Sequence, residues 1–171
     1  MNIVLIGYRG TGKSAVGTIL ADRLKMPCIG MDAEIVKLAG MSIPEIVETS
    51  GWPIFRDMES EVASQLSGRD NIIIDTGGGV IERPENIANL QKNGRIFWLK
   101  ASEGTIVARI QDGTQRPALT DGKTFIHEVA DVLAQRIARY QSAARYEIDT
   151  DAFTPEQVAE RIIEIYNRKQ T

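Results

Sequence analysis

Cysteine and histidine are almost missing from this sequence, with one of each in 171 residues. The single Cys28 excludes an intrachain disulfide framework and suits a reducing compartment. Because Cys28 follows Pro27 in an apolar strand pattern, packing is its expected role. The only histidine, His127, falls in a helical pattern, where a solvated position is expected rather than catalysis. There is no polybasic run, and the formal net charge is −3, which argues against nucleic acid or a membrane surface as partner. Long apolar segments are absent and the chain enters a strand pattern at once, so a cytoplasmic protein is expected. Repeats, low-complexity tracts and linkers are also lacking. The length suffices for one core, and a single domain over 1–171, acting as a monomer, is expected.

What is present begins with Gly7-Tyr8-Arg9-Gly10-Thr11-Gly12-Lys13-Ser14, which fits G-x-x-x-x-G-K-[ST]. Before it, Ile3-Val4-Leu5-Ile6 reads as a buried parallel strand. After it, Val16, Ile19, Leu20 and Leu24 fall on one helical face. Strand, glycine loop and helix form the context this phosphate-binding motif requires. The glycines let successive N–H groups turn toward an anion, and the helix N-terminus adds partial positive charge. Lys13 is placed to reach the β- and γ-phosphates, and the Ser14 hydroxyl to ligand Mg²⁺. A nucleoside triphosphate site follows.

Further apolar runs at Cys28–Ile29, Ile72–Ile74, Ile96–Leu99 and Tyr146–Ile148 alternate with helical patterns. That rhythm predicts a parallel sheet covered by helices on both faces. Ser42-Ile43-Pro44-Glu45 is a capping box for a helix that stops near Gly51, and Pro53 to Leu66 reads as another. Further helices start near Pro84 and Ser102, and Thr154-Pro155-Glu156-Gln157 caps the last, with Val158, Ile162 and Ile165 as its apolar stripe. Gln111 to Lys123 breaks the rhythm, with two glycines, a proline and no periodicity. A polar loop of that length reads as a lid that keeps water from the γ-phosphate, with Arg116 in its middle.

Asp32 follows the second strand, at the carboxyl edge where open α/β sheets bind ligands. It can be a general base or a hydroxyl acceptor, or a plain helix cap. Thr76-Gly77-Gly78-Gly79 follows the third strand, and three glycines suggest close backbone approach to a ligand or a neighbouring chain; a tight turn is the alternative. Arg56 and Arg136, taken singly, read as solvated arginines on helices. Asp75 ends a strand expected beside the phosphate loop, where many phosphate-loop enzymes place a metal-side carboxylate; it can also pair with a basic residue or cap the turn into Thr76.

The ordered set resembles the shikimate kinases from the first strand to the last helix. The likeness rests on the loop at 7–14, Asp32, Phe55-Arg56 with Glu59, and Thr76-Gly77-Gly78-Gly79. It continues with Arg109 ahead of Arg116-Pro117-Ala118-Leu119, and with Arg136, Tyr140 and Ala144 at four-residue spacing. The resemblance implies a three-layer phosphate-loop kinase fold of the nucleoside-monophosphate-kinase type, with a five-stranded parallel sheet. It implies transfer of the ATP γ-phosphoryl group to the 3-hydroxyl of shikimate. Carried over to this chain, Gly10, Thr11, Gly12, Lys13, Ser14 and Ala15 hold the ATP phosphates, and Ser14 ligands Mg²⁺. Arg56 and Arg136 take the shikimate carboxylate in a pocket lined by Gly77, Gly78 and Gly79. Asp32 takes the substrate hydroxyls and serves as the base, Arg116 closes from the lid, and Arg109 flanks adenine with the Thr154-Pro155 segment. Gly30 stands where many members carry an aspartate that serves the metal's water shell, and Asp75 stands where a small residue is common. Asp75 is therefore expected to take over that metal-side duty. Gly51-Trp52 replaces the usual Gly-Glu. A gluconate kinase of the same fold and a nucleotide-binding regulator without turnover are the rival readings.

Overall fold

The computed structural model describes residues 1–110 and 125–168. Five strands form one sheet: β1 (Asn2–Ile6), β2 (Cys28–Gly30), β3 (Ile73–Asp75), β4 (Gly94–Lys100) and β5 (Tyr146–Asp149), in spatial order β2-β3-β1-β4-β5. Every pairing is parallel. Successive side chains of a strand point to opposite faces, and β1 is buried on both, which is why it reads as a continuous apolar run. Val4 and Ile6 pack with Ile74, Ile96 and Trp98 on one face; Ile3 and Leu5 pack with Ile73, Phe97 and Leu99 on the other.

Helix α1 (Lys13–Leu24) covers the second face through Val16 and Leu20, beside α7 (Pro155–Asn167) with Val158 and Ile162. The first face is covered by α2 (Met31–Ala39), α3 (Ile43–Ser67), α4 (Pro84–Lys92) and α6 (Phe125–Ala143). Each fully buried Ile or Leu in these layers contributes roughly 1.5–3 kcal/mol relative to exposure, so the two apolar clusters supply most of the drive to fold. Gly51 splits α3 with φ +81°, a left-handed geometry, and Pro53 falls in the first turn of the second half. The expected stop near Gly51 and restart at Pro53 are both there, and Phe55, Val62 and Leu66 are buried as anticipated. The expected capping boxes at Ser42–Glu45 and Thr154–Gln157 both form.

Cys28 departs from expectation. It lies exposed on the edge strand β2, although its Sγ sits against Gly17 of α1. Partial burial of the sulfur and the charge of Asp75 push the thiol up to about 11. His127 is exposed, as anticipated. Among the described residues no helix is long and apolar enough to cross a membrane. The segment Gln111–Lys123 and its Arg116, expected as a lid, lie outside the described residues.

Candidate active site

At the carboxyl ends of β1, β2 and β3 a cleft of about 450 Å³ opens, bounded by Lys13, Ser14, Asp32, Asp75, Gly77 and Gly78. Local chemistry builds its floor. Gly12 takes φ +91°, a conformation that side chains resist, and so turns the loop into α1. No side chain caps α1, which leaves its first N–H groups to an incoming anion. Thr11 is buried and its hydroxyl donates to the Tyr8 carbonyl at 2.8 Å, closing the loop on itself. Lys13 Nζ donates to the carbonyls of Gly7 at 2.9 Å and Tyr8 at 3.1 Å, so the ammonium is folded over the loop it serves. Gly10 and Ala15 also border the cleft.

Asp32 occupies the first turn of α2, whose N-cap is Gly30. The helix-cap alternative for Asp32 is therefore not the arrangement adopted; the carboxylate borders the cleft. Asp75 lies directly beside Gly30 in the β2–β3 register and accepts a 2.5 Å hydrogen bond from the Ser14 hydroxyl. The structure thus brings Ser14 and Asp75 together, a pairing that their separation of 61 residues does not advertise.

The triple glycine is held at its start by Thr76, whose hydroxyl donates to the Leu5 carbonyl at 2.8 Å. It then passes close to two parts of the site. A side chain at Gly78 would meet the Arg9 amide nitrogen at 3.3 Å, and one at Gly79 would collide with the Arg56 guanidinium at 2.2 Å. The close approach expected of this run is therefore made to the phosphate loop and to an arginine, while Gly77 and Gly78 also face the cleft.

Neither Arg56 nor Arg136 is the solvated arginine that its isolated spacing suggests. Arg56 Nη1 donates to Glu59 Oε2 at 2.6 Å, beside the rings of Trp52 and Phe55. Glu59 is completely buried, so its charge needs that partner. Arg136 is 6 % exposed and its Nε donates to Glu82 Oε1 at 2.7 Å. One turn later the buried Tyr140 donates to the Gly78 carbonyl at 2.5 Å and stacks on Trp98, and burial raises its hydroxyl pKa far above the usual range. Arg56 thus packs against Gly79 and Arg136 is tied to Glu82 three residues further on, while the cleft itself is bounded by Gly77 and Gly78.

Arg109, on α5 (Glu103–Ile110), reaches back across the loop. Its guanidinium donates to the carbonyl of Gly10 at 3.1 Å and to Thr150 at 3.2 and 3.3 Å. Sequence reasoning missed Thr150, and it missed Glu82 and Arg139, which join Arg136 in an ion cluster. Glu82 stands only three residues beyond Gly79, but nothing in that spacing names its partners on a helix more than fifty residues away.

The loop and Lys13 offer donors that suit a polyphosphate, Asp32 brings a carboxylate to the cleft, and two guanidiniums, each paired with a glutamate, stand near the glycine run. The shikimate kinase family model matches residues 9–167. A shikimate kinase of Caldicellulosiruptor bescii is 38% identical over 170 residues, covering 99% of this chain and 98% of that protein. One from Thermodesulfovibrio yellowstonii is 41% identical over 167 residues, covering 98% and 95%. Among solved structures, a shikimate kinase from Acinetobacter baumannii in complex with shikimate superposes with a TM-score of 0.90 at 28% identity, covering 99% of this chain and 95% of that one. The fold is that of the phosphate-loop kinases, as the parallel five-stranded order also indicates. Matched over nearly its whole length in both sequence and fold, the chain belongs to the shikimate kinase family.

Proposed function

We propose that this protein transfers the γ-phosphoryl group of ATP to the 3-hydroxyl of shikimate, giving shikimate 3-phosphate on the route to chorismate and the aromatic amino acids. The observation that carries this reading is Arg56 against Gly79, with Arg136 tied to Glu82 just beyond it, next to a phosphate-loop cleft. A neutral polyol would need neither guanidinium, whereas a carboxylate matches both forks.

Lys13 and the amides of Gly10, Thr11, Gly12 and Ala15 hold the phosphates. Asp32 orients the substrate hydroxyls and receives the proton as the hydroxyl oxygen bonds to the γ-phosphorus and the bridging P–O bond to ADP breaks. Arg56 and Arg136 take the shikimate carboxylate against Gly77, Gly78 and Gly79. Arg109 flanks adenine, and Arg116 closes from a lid at 111–123 within one domain spanning 1–171. The Ser14 hydroxyl and the Asp75 carboxylate, hydrogen-bonded at the open cleft, are hard oxygen donors that suit Mg²⁺. An ion held there would keep several waters beside the ATP phosphates. When bound, Mg²⁺ offsets the negative charge of those phosphates. The reading includes a cytoplasmic monomer.

A coupled ADP-release assay across shikimate, gluconate and nucleoside monophosphates tests it. Turnover with shikimate alone is expected. Preferred turnover of gluconate or a nucleotide would overturn the substrate, and ATP binding without turnover would favour a regulator.

A further inference from the structure

Arg136 does not reach the site unaided. Glu82 ends the 3-10 turn Val80–Glu82 and its N–H donates to the Gly79 carbonyl at 2.9 Å, so its backbone is tied to the triple glycine. Its two carboxylate oxygens face α6: one accepts from Arg136 Nε at 2.7 Å, and the other pairs with the Arg139 guanidinium. On the same face of α6, Tyr140 donates to the Gly78 carbonyl. Positions 136 and 140 lie one helical turn apart, so Arg136 meets Glu82 where Tyr140 meets Gly78.

We propose that Glu82 is a positioning residue for Arg136, which it turns so that the two η nitrogens form an end-on fork for the shikimate carboxylate. This rests on the reading of Arg136 as a carboxylate-binding arginine. The geometry carries it in three steps. A guanidinium has five N–H donors in one plane, so fixing Nε fixes the direction of the fork. The Arg136 side chain is 7% exposed, and an arginine that buried needs a compensating charge whether or not substrate is present. Glu82 alone would supply that charge and cancel the attraction for an acid. Arg139, 54% exposed, restores it: two arginines and one glutamate leave the cluster at net +1. The substrate carboxylate thus meets an arginine already oriented, within a cluster that remains positive.

Glu82→Leu, Glu82→Gln and Arg139→Leu test this in full-length protein, with KM for shikimate, KM for ATP, kcat and the thermal midpoint measured for each. Glu82→Leu removes the acceptor and is expected to raise the shikimate KM by about tenfold, with kcat and the ATP KM within about twofold of wild type. Glu82→Gln keeps one acceptor oxygen and is expected to recover the shikimate KM to within about threefold. Arg139→Leu leaves the Arg136–Glu82 contact but neutralises the pair, and is expected to raise the shikimate KM by about threefold, less at high salt. A bystander carboxylate gives the opposite sign: removing its charge would tighten shikimate binding. Unchanged or tighter binding in Glu82→Leu overturns the proposal, and so does an equal loss of ATP and shikimate affinity. If wild-type protein fails to bind shikimate, the proposed function falls instead, and the assay separates the two failures.

Discussion

The phosphate loop and the proposed arginine clamp both adjoin the triple glycine, and they differ in how far along the chain their partners lie. The loop bonds largely to itself, Thr11 to Tyr8 three residues away and Lys13 to Gly7 six residues away, with Arg109 and Asp75 joining from outside it. In the proposed clamp Arg56 pairs with Glu59 on its own helix, whereas Arg136 bonds to Glu82 across 54 residues and the Tyr140 hydroxyl donates to the Gly78 carbonyl across 62. A loop that satisfies itself locally forms wherever its strand and helix form. The Arg136 half of the clamp exists only once α6 is packed on the segment after the triple glycine, and losing Glu82 there leaves a buried charge behind. Changes in the loop should therefore act on nucleotide handling, and changes in the clamp on the acid substrate.

The largest expected effect is at Arg116, in the lid proposed from the sequence. Arg116→Ala should lower turnover by on the order of 10³ or more, the scale for arginines that neutralise a transferring phosphoryl group. Single-turnover kinetics would check it, and a loss below about tenfold would remove Arg116 from the chemistry.

Asp32→Asn probes the cleft where loop and clamp act together. Because the cap of α2 is Gly30, the substitution leaves helix capping alone. Turnover should drop by on the order of 10² or more with ATP affinity near normal, measured by calorimetry and steady-state rates side by side. Retained turnover would reduce Asp32 to a binding contact.

On the clamp side, Arg56→Lys and Arg136→Lys keep charge but lose the planar fork. Each should weaken shikimate binding by roughly 1–3 kcal/mol while ATP binding changes little. An equal loss for both ligands would erase the contrast between the regions.

The smallest expected effect is at the metal side of the loop. Asp75→Ala should raise the Mg²⁺ concentration for half-maximal rate by ~10-fold, and weaken Mn²⁺ binding followed by paramagnetic resonance. Gly30 is the register partner of Asp75, and a Cβ built there meets no atom within 4 Å. Gly30→Asp in the Asp75→Ala background should therefore return part of the loss. An unchanged Mg²⁺ requirement in Asp75→Ala would overturn the assignment.

Sequence alone determined the strand-loop-helix unit at the phosphates, because apolar run, glycine spacing and helical face all lie within a few turns of one another. The five strands, the break at Gly51 and both capping boxes were legible for the same reason. Resemblance added the order of Asp32, Arg56, the triple glycine and Arg136, but it named neither Glu82 nor Arg139. Tertiary structure alone decided that Arg136 is paired with Glu82 rather than solvated, that Cys28 lies on an exposed edge strand with its sulfur against Gly17, and that Asp75 meets Ser14 beside Gly30. Hydrophobic periodicity records which face of an element is buried. It carries no information about which charged tips meet, because an ion pair depends on strand register and helix placement that only the packed chain supplies.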